Sequence, residues 1–179
     1  MPLIHVYLAK GKSAEYLNQV GDCLHQALME TWGIPENDRF HIFHEMAPGS
    51  MKIDPTVFLL NRTEDQIVFH VFTTPRTSGM KREFYARLPE LLAEKVNLKP
   101  DNVFISCVNN SCDDWSFGAG HAQLLDPKRF PFGPPSRGFA TVAGAHALRP
   151  FARAKFQTSG QMQLRSFAVR ASGVLRRML

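Results

Sequence analysis

One residue in this sequence that could carry out chemistry is the proline at position 2. Pro2 directly precedes an apolar, strand-like run, 3–8. Methionine is usually removed before a small second residue, and removal here would leave Pro2 as a free secondary amine. An α-amino group titrates at roughly 7.7–8.0, so that modest burial brings its pKa near neutral pH. The N-terminus could therefore act as an acid or as a base.

A carboxylate and a guanidinium stand at the ends of further strand-like runs. Asp38 precedes the run 39–45, and Arg76 follows the run 66–73. The planar fork of an arginine suits a carboxylate in bidentate geometry, and its charge lowers the pKa of a nearby amine. Together these residue types predict proton transfer next to a carbonyl group of a small carboxylate.

Two segments that share one plan would position these groups. The same offset of 64 residues separates Ile4 from Val68 and Phe40 from Phe104, which suggests two copies of a β-α-β unit. The predicted elements are strands 3–8, 39–45, 66–73 and 102–108 and helices 13–32 and 78–96.

Local signals support these boundaries. Ser13 is a suitable N-cap for the first helix, and Gly33 and Asn97 tolerate the left-handed conformation that ends a helix. Pro89 lies inside the second helix, where we expect a kink or a break. A short extended piece is expected at 56–60.

The duplicated plan predicts where the reactive groups meet. A parallel crossover returns the chain to the end of the sheet where it began. Pro2 and Asp38 therefore lie at one edge of the sheet, the edge at which the first two strands begin. If the second unit runs antiparallel to the first, the ends of its strands reach this edge as well. Those ends carry the segments 74–76 and 114–118, and thus a guanidinium and two aromatic rings.

This ordered set resembles the tautomerase superfamily, and most closely its malonate semialdehyde decarboxylase branch. The resemblance covers about residues 2–126 and depends on Pro2, on Asp38 after a Pro-Glu-Asn turn, on the Pro-Arg pair ending at Arg76, and on Asp-Trp-Ser-Phe-Gly at 114–118. It implies an α+β fold in which tandem β-α-β units form a four-stranded mixed sheet with two helices on one face. It also implies a homotrimer that needs no cofactor.

The resemblance implies roles for individual residues. Pro2 is the catalytic amine, Asp38 orients or activates water, and Arg76 binds the substrate carboxylate. Trp115 and Phe117 form an aromatic wall.

This chain departs from the family pattern at one position. The decarboxylase pattern has a second arginine where this chain has Thr74, whose hydroxyl cannot supply the charge. We count Thr74 as a substrate-binding residue, together with His70, which strand alternation places on the same face as Thr74 and Arg76. No metal site is expected.

Three functions are compatible with these residues. The first is cofactor-independent keto–enol tautomerisation of small 2-oxo carboxylates with Pro2 as general base. The second is decarboxylation of a 3-oxo acid such as malonate semialdehyde, which needs a cationic Pro2. The third is a non-catalytic trimeric binding protein, in which Pro2 only starts a strand, Asp38 is a turn acid and Arg76 is a surface cation.

Composition narrows the class of protein further. The 179 residues contain three cysteines without CxxC spacing, and neither a signal peptide nor a membrane span is evident, which favours a cytoplasmic protein. Residues 131–179 carry eight basic residues and no acidic ones. We therefore separate a tautomerase-like domain, 2–126, from a basic extension, 127–179, that consists of a linker and an amphipathic helix. Nucleic-acid or membrane partners are not expected, although the basic extension leaves them open.

Overall fold

The fold is two β-α-β units joined edge to edge in one mixed sheet. The structure, a computed structural model, describes residues 1–131. Its main elements are β1 (Pro2–Ala9), α1 (Ala14–Trp32), β2 (His41–Met46), β3 (Ile67–Thr73), α2 (Ser78–Val96) and β4 (Val103–Asn109). The strand order is β2-β1-β3-β4. β1 pairs in parallel with β2, and β3 with β4, whereas β1 and β3 are antiparallel.

This topology confirms the predicted α+β fold. Because the two units meet antiparallel, the start of β1 lies opposite the end of β3, with Pro2 in register with Thr73. The loop that leads into β2 reaches the same edge, since β2 runs parallel to β1 and begins beside Ile4. The reactive segments predicted from the sequence are therefore brought to one edge of the sheet.

The core lies between the two helices and one face of the sheet. Alternate residues of β1 and β3 point into it, as the period of two along a strand requires. The largest fully buried side chains of this layer are Ile4, Leu8, Leu24, Leu28, Ile67, Phe69, Phe84, Leu88, Leu91 and Leu92. Removing such a side chain typically costs about 2–5 kcal/mol, so this layer holds the sheet edge in place.

The helix ends follow the predicted capping signals. The hydroxyl of Ser13 accepts a hydrogen bond from the main-chain nitrogen of Tyr16 at 3.1 Å. Gly33 and Asn97 end their helices in the left-handed conformation, with φ of 65° and 54°. These caps fix where the chain enters α1 and where it leaves both helices.

Two local predictions were wrong. The predicted break at Pro89 is absent, since helix α2 continues through Pro89 to Val96. The flanking Leu88, Leu91 and Leu92 are buried, and this packing outweighs one lost hydrogen bond. A kink at Pro89 stays a prediction.

The piece at 56–60 is a 3-10 turn and not an extended segment. The carboxylate of Asp54 accepts hydrogen bonds from the main-chain nitrogens of Thr56 (2.7 Å) and Val57 (3.0 Å) and curls the chain. Phe58 and Leu59 follow with positive φ and are almost fully exposed.

The other face of the sheet carries no helix in the described part of the chain. We call it the open face. It presents large apolar side chains that are 38–44% exposed, namely Phe40, Ile42, Phe104 and Val108. Histidines lie among them, and Nδ1 of His5 is 2.8 Å from Nε2 of His44.

No helix within residues 1–131 is long and apolar enough to cross a bilayer. The predicted linker and amphipathic helix of the basic extension lie, apart from residues 127–131, outside the described residues.

Candidate active site

The N-terminal amine occupies a buried position at the shared sheet edge. The amine of Met1 lies 3.3 Å from Oδ2 of Asp38, and the two side chains are only 5% and 1% exposed. Pro2, the next residue, is buried at the start of β1. The structure therefore brings the terminal amine, one residue before Pro2, and the predicted carboxylate into one buried location.

A turn fixed from helix α1 positions Asp38. The main-chain nitrogen of Asp38 donates to the carbonyl of Pro35 at 3.0 Å, which closes the turn before β2. Nε2 of the buried His25 lies 2.8 Å from the carbonyl oxygen of Glu36 and must be the donor there. Neither carboxylate oxygen of Asp38 has a hydrogen-bond partner within residues 1–131 apart from the ion pair with the amine.

Arg76 is held by one side of its guanidinium, which leaves the other side free. Its Nη1 donates to the hydroxyl of Thr74 (2.9 Å), to the carbonyl of Thr74 (3.2 Å) and to the carbonyl of Pro75 (3.3 Å). Its Nε and Nη2 atoms are buried and have no partner within residues 1–131. The guanidinium carbon lies 5.3 Å from the ring centroid of Trp32. Nε and Nη2 thus form a preorganised edge that fits two carboxylate oxygens.

Burial and nearby charges shift the pKa values of these three groups. Burial lowers the pKa of the amine, and Arg76 lowers it further, whereas Asp38 opposes the change. Burial raises the pKa of Asp38, and the amine opposes that change. Burial also lowers the pKa of Arg76, which stays far above neutral because an arginine is effectively always charged. The amine is therefore closer to its neutral form at pH 7 than an exposed terminus would be.

An aromatic wall follows β4. The rings of Trp115 and Phe117 stack with centroids 5.4 Å apart, and Phe117 lies 5.7 Å from Phe40. Nε1 of Trp115 donates to Oδ1 of Asn110 at 3.0 Å, which sets the angle of the indole. Gln123 accepts from the main-chain nitrogen of Phe117 at 2.9 Å and so fixes the turn that carries the wall.

The wall borders a cavity of about 350 Å³ next to the amine. Met1 is one of the residues that line it. The remaining lining residues are Phe40, Phe117, Gln123, Leu124, Arg129, Phe130 and Pro131. A small organic acid has the size that this cavity admits.

Thr74 and His70, the two other predicted substrate-binding residues, lie in different surroundings. Thr74 supports Arg76 through its hydroxyl. His70 lies on the open face, where its ring centroid is 4.7 Å from that of Phe72. The expectation that His70 shares a face with Arg76 is not met, because Arg76 turns back over Trp32 on the helix side. A role for His70 in the cavity stays a prediction without a contact that supports it.

Sequence reasoning missed three residues of the site: His25, Phe40 and Gln123. His25 interrupts the apolar stripe of α1 between Leu24 and Leu28, and a polar side chain in such a stripe needs a partner. Phe40 was noted only for its place in the duplication. Gln123 carried no recognisable signal, because its role depends on how the turn at 117–118 folds back.

Comparisons with known proteins agree with this geometry. Family models described as tautomerase enzyme match residues 38–118 and residues 2–60. The chain is 34% identical over 128 residues to YrdN of Bacillus subtilis, a probable tautomerase, covering 72% of this chain and 99% of the relative. It is 28% identical over 127 residues to a second probable tautomerase of that organism, YusQ, covering 70% and 100%.

Solved structures show the same fold. A malonate semialdehyde decarboxylase is 30% identical with a TM-score of 0.68, covering 70% of this chain and 98% of that one. Another, inhibited by 3-bromopropiolate, is 31% identical with a TM-score of 0.66, covering 74% and 99%. A fused 4-OT trimer, at 16% identity, has a TM-score of 0.57 over 69% and 98% of the two chains and supports the fold alone. An α+β fold with two antiparallel β-α-β units and a buried amine edge defines the class, and this chain belongs to the tautomerase family.

Proposed function

We propose that this protein is a cofactor-independent keto–enol tautomerase of small 2-oxo carboxylates. Tautomerase-family enzymes are isomerases, and the reaction needs a base of near-neutral pKa and an anchor for the substrate. The observation that carries the proposal is the buried terminal amine, which pairs with Asp38 and has its pKa lowered by the charge of Arg76, whose Nε and Nη2 atoms have no partner within residues 1–131.

The base in this proposal is the nitrogen of Pro2. Methionine removal would take away the Met1 amine and a residue that lines the cavity, and Pro2 would become the terminus at the same edge. The amine of Met1 therefore stands in for the secondary amine of Pro2. That amine would inherit the burial, the charge of Arg76 and the opposing charge of Asp38 as influences on its pKa.

The proposed mechanism moves one proton. Nε and Nη2 of Arg76 bind the substrate carboxylate, and the aromatic wall holds the carbon chain. Neutral Pro2 takes a proton from the carbon next to the carbonyl as an enolate forms, and protonated Pro2 then returns that proton to the former carbonyl oxygen to give the enol. Ketonisation runs the same steps in reverse. Asp38, which in this structure pairs with the Met1 amine at 3.3 Å, stabilises the protonated Pro2 amine during the step.

Decarboxylation of a 3-oxo acid is a second candidate function. Similarity to malonate semialdehyde decarboxylases, at 30–31% identity, favours it. Asp38 also favours it, because a carboxylate at 3.3 Å stabilises a cationic amine that could polarise a carbonyl. Thr74 argues against it, since its hydroxyl is used by Arg76 and no second guanidinium is attached there.

The assembly proposed for this protein is a homotrimer. The open face presents Phe40, Ile42, Phe104 and Val108, each more than a third exposed, on the two outer strands β2 and β4 or directly before them. Such a concentration of large apolar side chains is typical of an interaction surface. A trimeric binding protein without turnover would share this assembly, so that only an activity assay separates the two functions.

The experiment that tests the function compares wild type with Pro2→Ala. Alanine is also small, so methionine removal continues and a primary amine replaces the secondary one. Intact mass establishes the N-terminus of each variant, and ketonisation of phenylpyruvate enol and of 2-hydroxymuconate measures activity. We expect a loss of at least about 100-fold in kcat for Pro2→Ala. Pro55→Ala, in an exposed loop, is the matched control and keeps full activity.

Equal rates for wild type and Pro2→Ala would remove the catalytic role of the proline. Retention of Met1 in the purified protein would favour the binding protein. Release of carbon dioxide from malonate semialdehyde at a rate well above the ketonisation rates would favour the decarboxylase.

A further inference from the structure

Three histidines meet on the open face of the sheet. His5 lies on β1, His44 on β2 and His70 on β3. Strand register places His5 opposite His70, and Tyr7 opposite His44. Nδ1 of His5 is 2.8 Å from Nε2 of His44, and their rings stack with centroids 5.0 Å apart. We call His5, His44 and His70 the histidine cluster.

No carboxylate on the sheet faces this cluster. Side chains two residues apart on a strand share a face, so the register defines which residues belong to the open face. On β1–β4 the other side chains of this face are apolar, apart from Tyr7 and Ser106. Tyr7 is the one further titratable group among them. A protonated histidine here therefore has no counter-ion on these four strands.

The contact between His5 and His44 depends on their protonation states. One of the two facing nitrogens must donate the hydrogen and the other must accept it, because an imidazolium has two donors and no acceptor. Protonation of both rings therefore turns this hydrogen bond into a repulsive contact. Burial lowers the pKa of His5, and His44 and His70 lower it further. The isolated chain thus already disfavours charge in this cluster.

A second copy on the open face would bury the cluster. This face is the interface of the proposed homotrimer, and its exposed apolar side chains include Ile42 on β2 and Phe104 and Val108 on β4. Strands β1 and β3, which carry His5 and His70, lie between these two outer strands. A copy that covers the apolar side chains therefore also removes the histidines from water. Burial disfavours the charged form of a histidine, so assembly and protonation oppose each other.

We propose that the histidine cluster makes the assembly of this protein dependent on pH. Copies associate through the open face while the three histidines are neutral, and they separate when these histidines gain protons. The inference rests on the proposed homotrimer and adds the condition under which it forms. It does not require that Pro2 be a base.

The direction of the effect follows from the coupling of assembly to protonation. The trimer keeps the histidines neutral, so dissociation takes up protons, and the trimer weakens as pH falls below about 6.5, where a histidine ordinarily titrates. Each histidine kept neutral raises the dissociation constant about tenfold for every pH unit below that value. One such histidine in each of three protomers corresponds to a rise of about 10³-fold per pH unit.

Light scattering of the full chain, after methionine removal, tests this inference at pH 8 and pH 5.5 and at constant ionic strength. We expect a trimer at pH 8, monomers at pH 5.5, and recovery of the trimer when the pH is raised again. Circular dichroism establishes that the fold is kept at both pH values. A variant that combines His5→Gln, His44→Gln and His70→Gln should stay trimeric at pH 5.5. His121→Gln, outside the sheet, is the matched control and should dissociate as wild type does.

A wild-type trimer that persists at pH 5.5 overturns the inference, and so does a triple variant that dissociates like wild type. Loss of the circular dichroism signal at pH 5.5 would assign the mass change to unfolding and would also overturn it. If the triple variant does not assemble at pH 8, His5→Gln alone decides, because it should make dissociation less steep with pH, and an unchanged steepness refutes the role of the cluster.

The same measurement separates this inference from the proposals on which it depends. A wild-type protein that is already monomeric at pH 8 would remove the homotrimer, and the inference with it. A trimer at pH 8 that ignores pH would leave the homotrimer in place and remove only the role of the histidines. Because molar mass is measured, a protein without turnover gives the same answer.

Discussion

Substitution of Arg76 separates its two effects on the site, binding and electrostatics. Arg76→Gln removes both the fork and the charge, whereas Arg76→Lys removes the fork but keeps the charge. The free Nε and Nη2 atoms can make two charge-assisted hydrogen bonds, each typically contributing about 1.5–3 kcal/mol. Losing both corresponds to about 3–6 kcal/mol, or roughly 10²–10⁴-fold in kcat/KM.

The pH dependence distinguishes the two variants. The charge of Arg76 lowers the pKa of the neighbouring amine. If neutral amine is the base, activity falls as pH drops through that pKa. Arg76→Gln lets the pKa rise, so its acid limb moves to higher pH. Arg76→Lys leaves the acid limb near its wild-type position and loses only about 10–100-fold in kcat/KM through the single lost hydrogen bond.

The assay is the rate of phenylpyruvate enol ketonisation between pH 5 and 9, at constant ionic strength because screening alters the effect of the charge. Thr74→Val is the companion variant, since it removes one charge-assisted hydrogen bond donated by Nη1, typically worth about 1.5–3 kcal/mol, and leaves the charge in place. An acid limb that stays fixed in Arg76→Gln, or moves equally in both Arg76 variants, would refute the electrostatic reasoning.

Three further predictions concern other parts of the chain. Burial lowers the pKa of His41 to about 4, so unfolding is coupled to uptake of a proton between about pH 6.5 and pH 4. The free energy of unfolding should therefore drop by about 3 kcal/mol as pH falls across this window. Urea titrations at pH 7 and pH 4 should show a smaller drop in His41→Gln than in wild type, and an equal drop would contradict this prediction. Phe104→Glu, on the open face, should shift light-scattering mass from trimer toward monomer while Glu64→Gln does not; an unchanged mass would argue against that face as the interface. Thr74→Arg should raise carbon dioxide release from malonate semialdehyde if the missing charge limits decarboxylation, and no increase would show that it does not.

The sequence was sufficient for the fold because its signals were redundant. Strand alternation, the caps at Ser13, Gly33 and Asn97 and the repeated plan all indicated the same two units. Element ends were predicted to within two residues. The prediction at Pro89 was wrong about a break because helix propensity takes no account of buried neighbours. The prediction for 56–60 was wrong because the side chain of Asp54 accepts hydrogen bonds from the main chain there.

The site was only partly predictable. Residues that lie next to strand ends, such as Pro2, Asp38 and Arg76, could be placed at one edge from topology. The face of the sheet toward which Arg76 turns could not be predicted, because it depends on the three acceptors that hold Nη1. Residues that enter the site through loop geometry, such as Gln123, have no periodic signal. The cytoplasmic location and the boundary between 2–126 and 127–179 stay predictions.

The most direct test of the central claim is a titration of the Pro2 nitrogen itself. Of the twelve prolines in the chain, only one at a free N-terminus has a nitrogen that can gain a proton near neutral pH. In protein labelled with ¹⁵N-proline, one resonance should therefore shift with pH. We predict that its midpoint coincides with the acid limb of ketonisation and lies below the pKa of an exposed proline terminus. A midpoint unrelated to the acid limb, or a spectrum in which no proline nitrogen titrates, would contradict the claim.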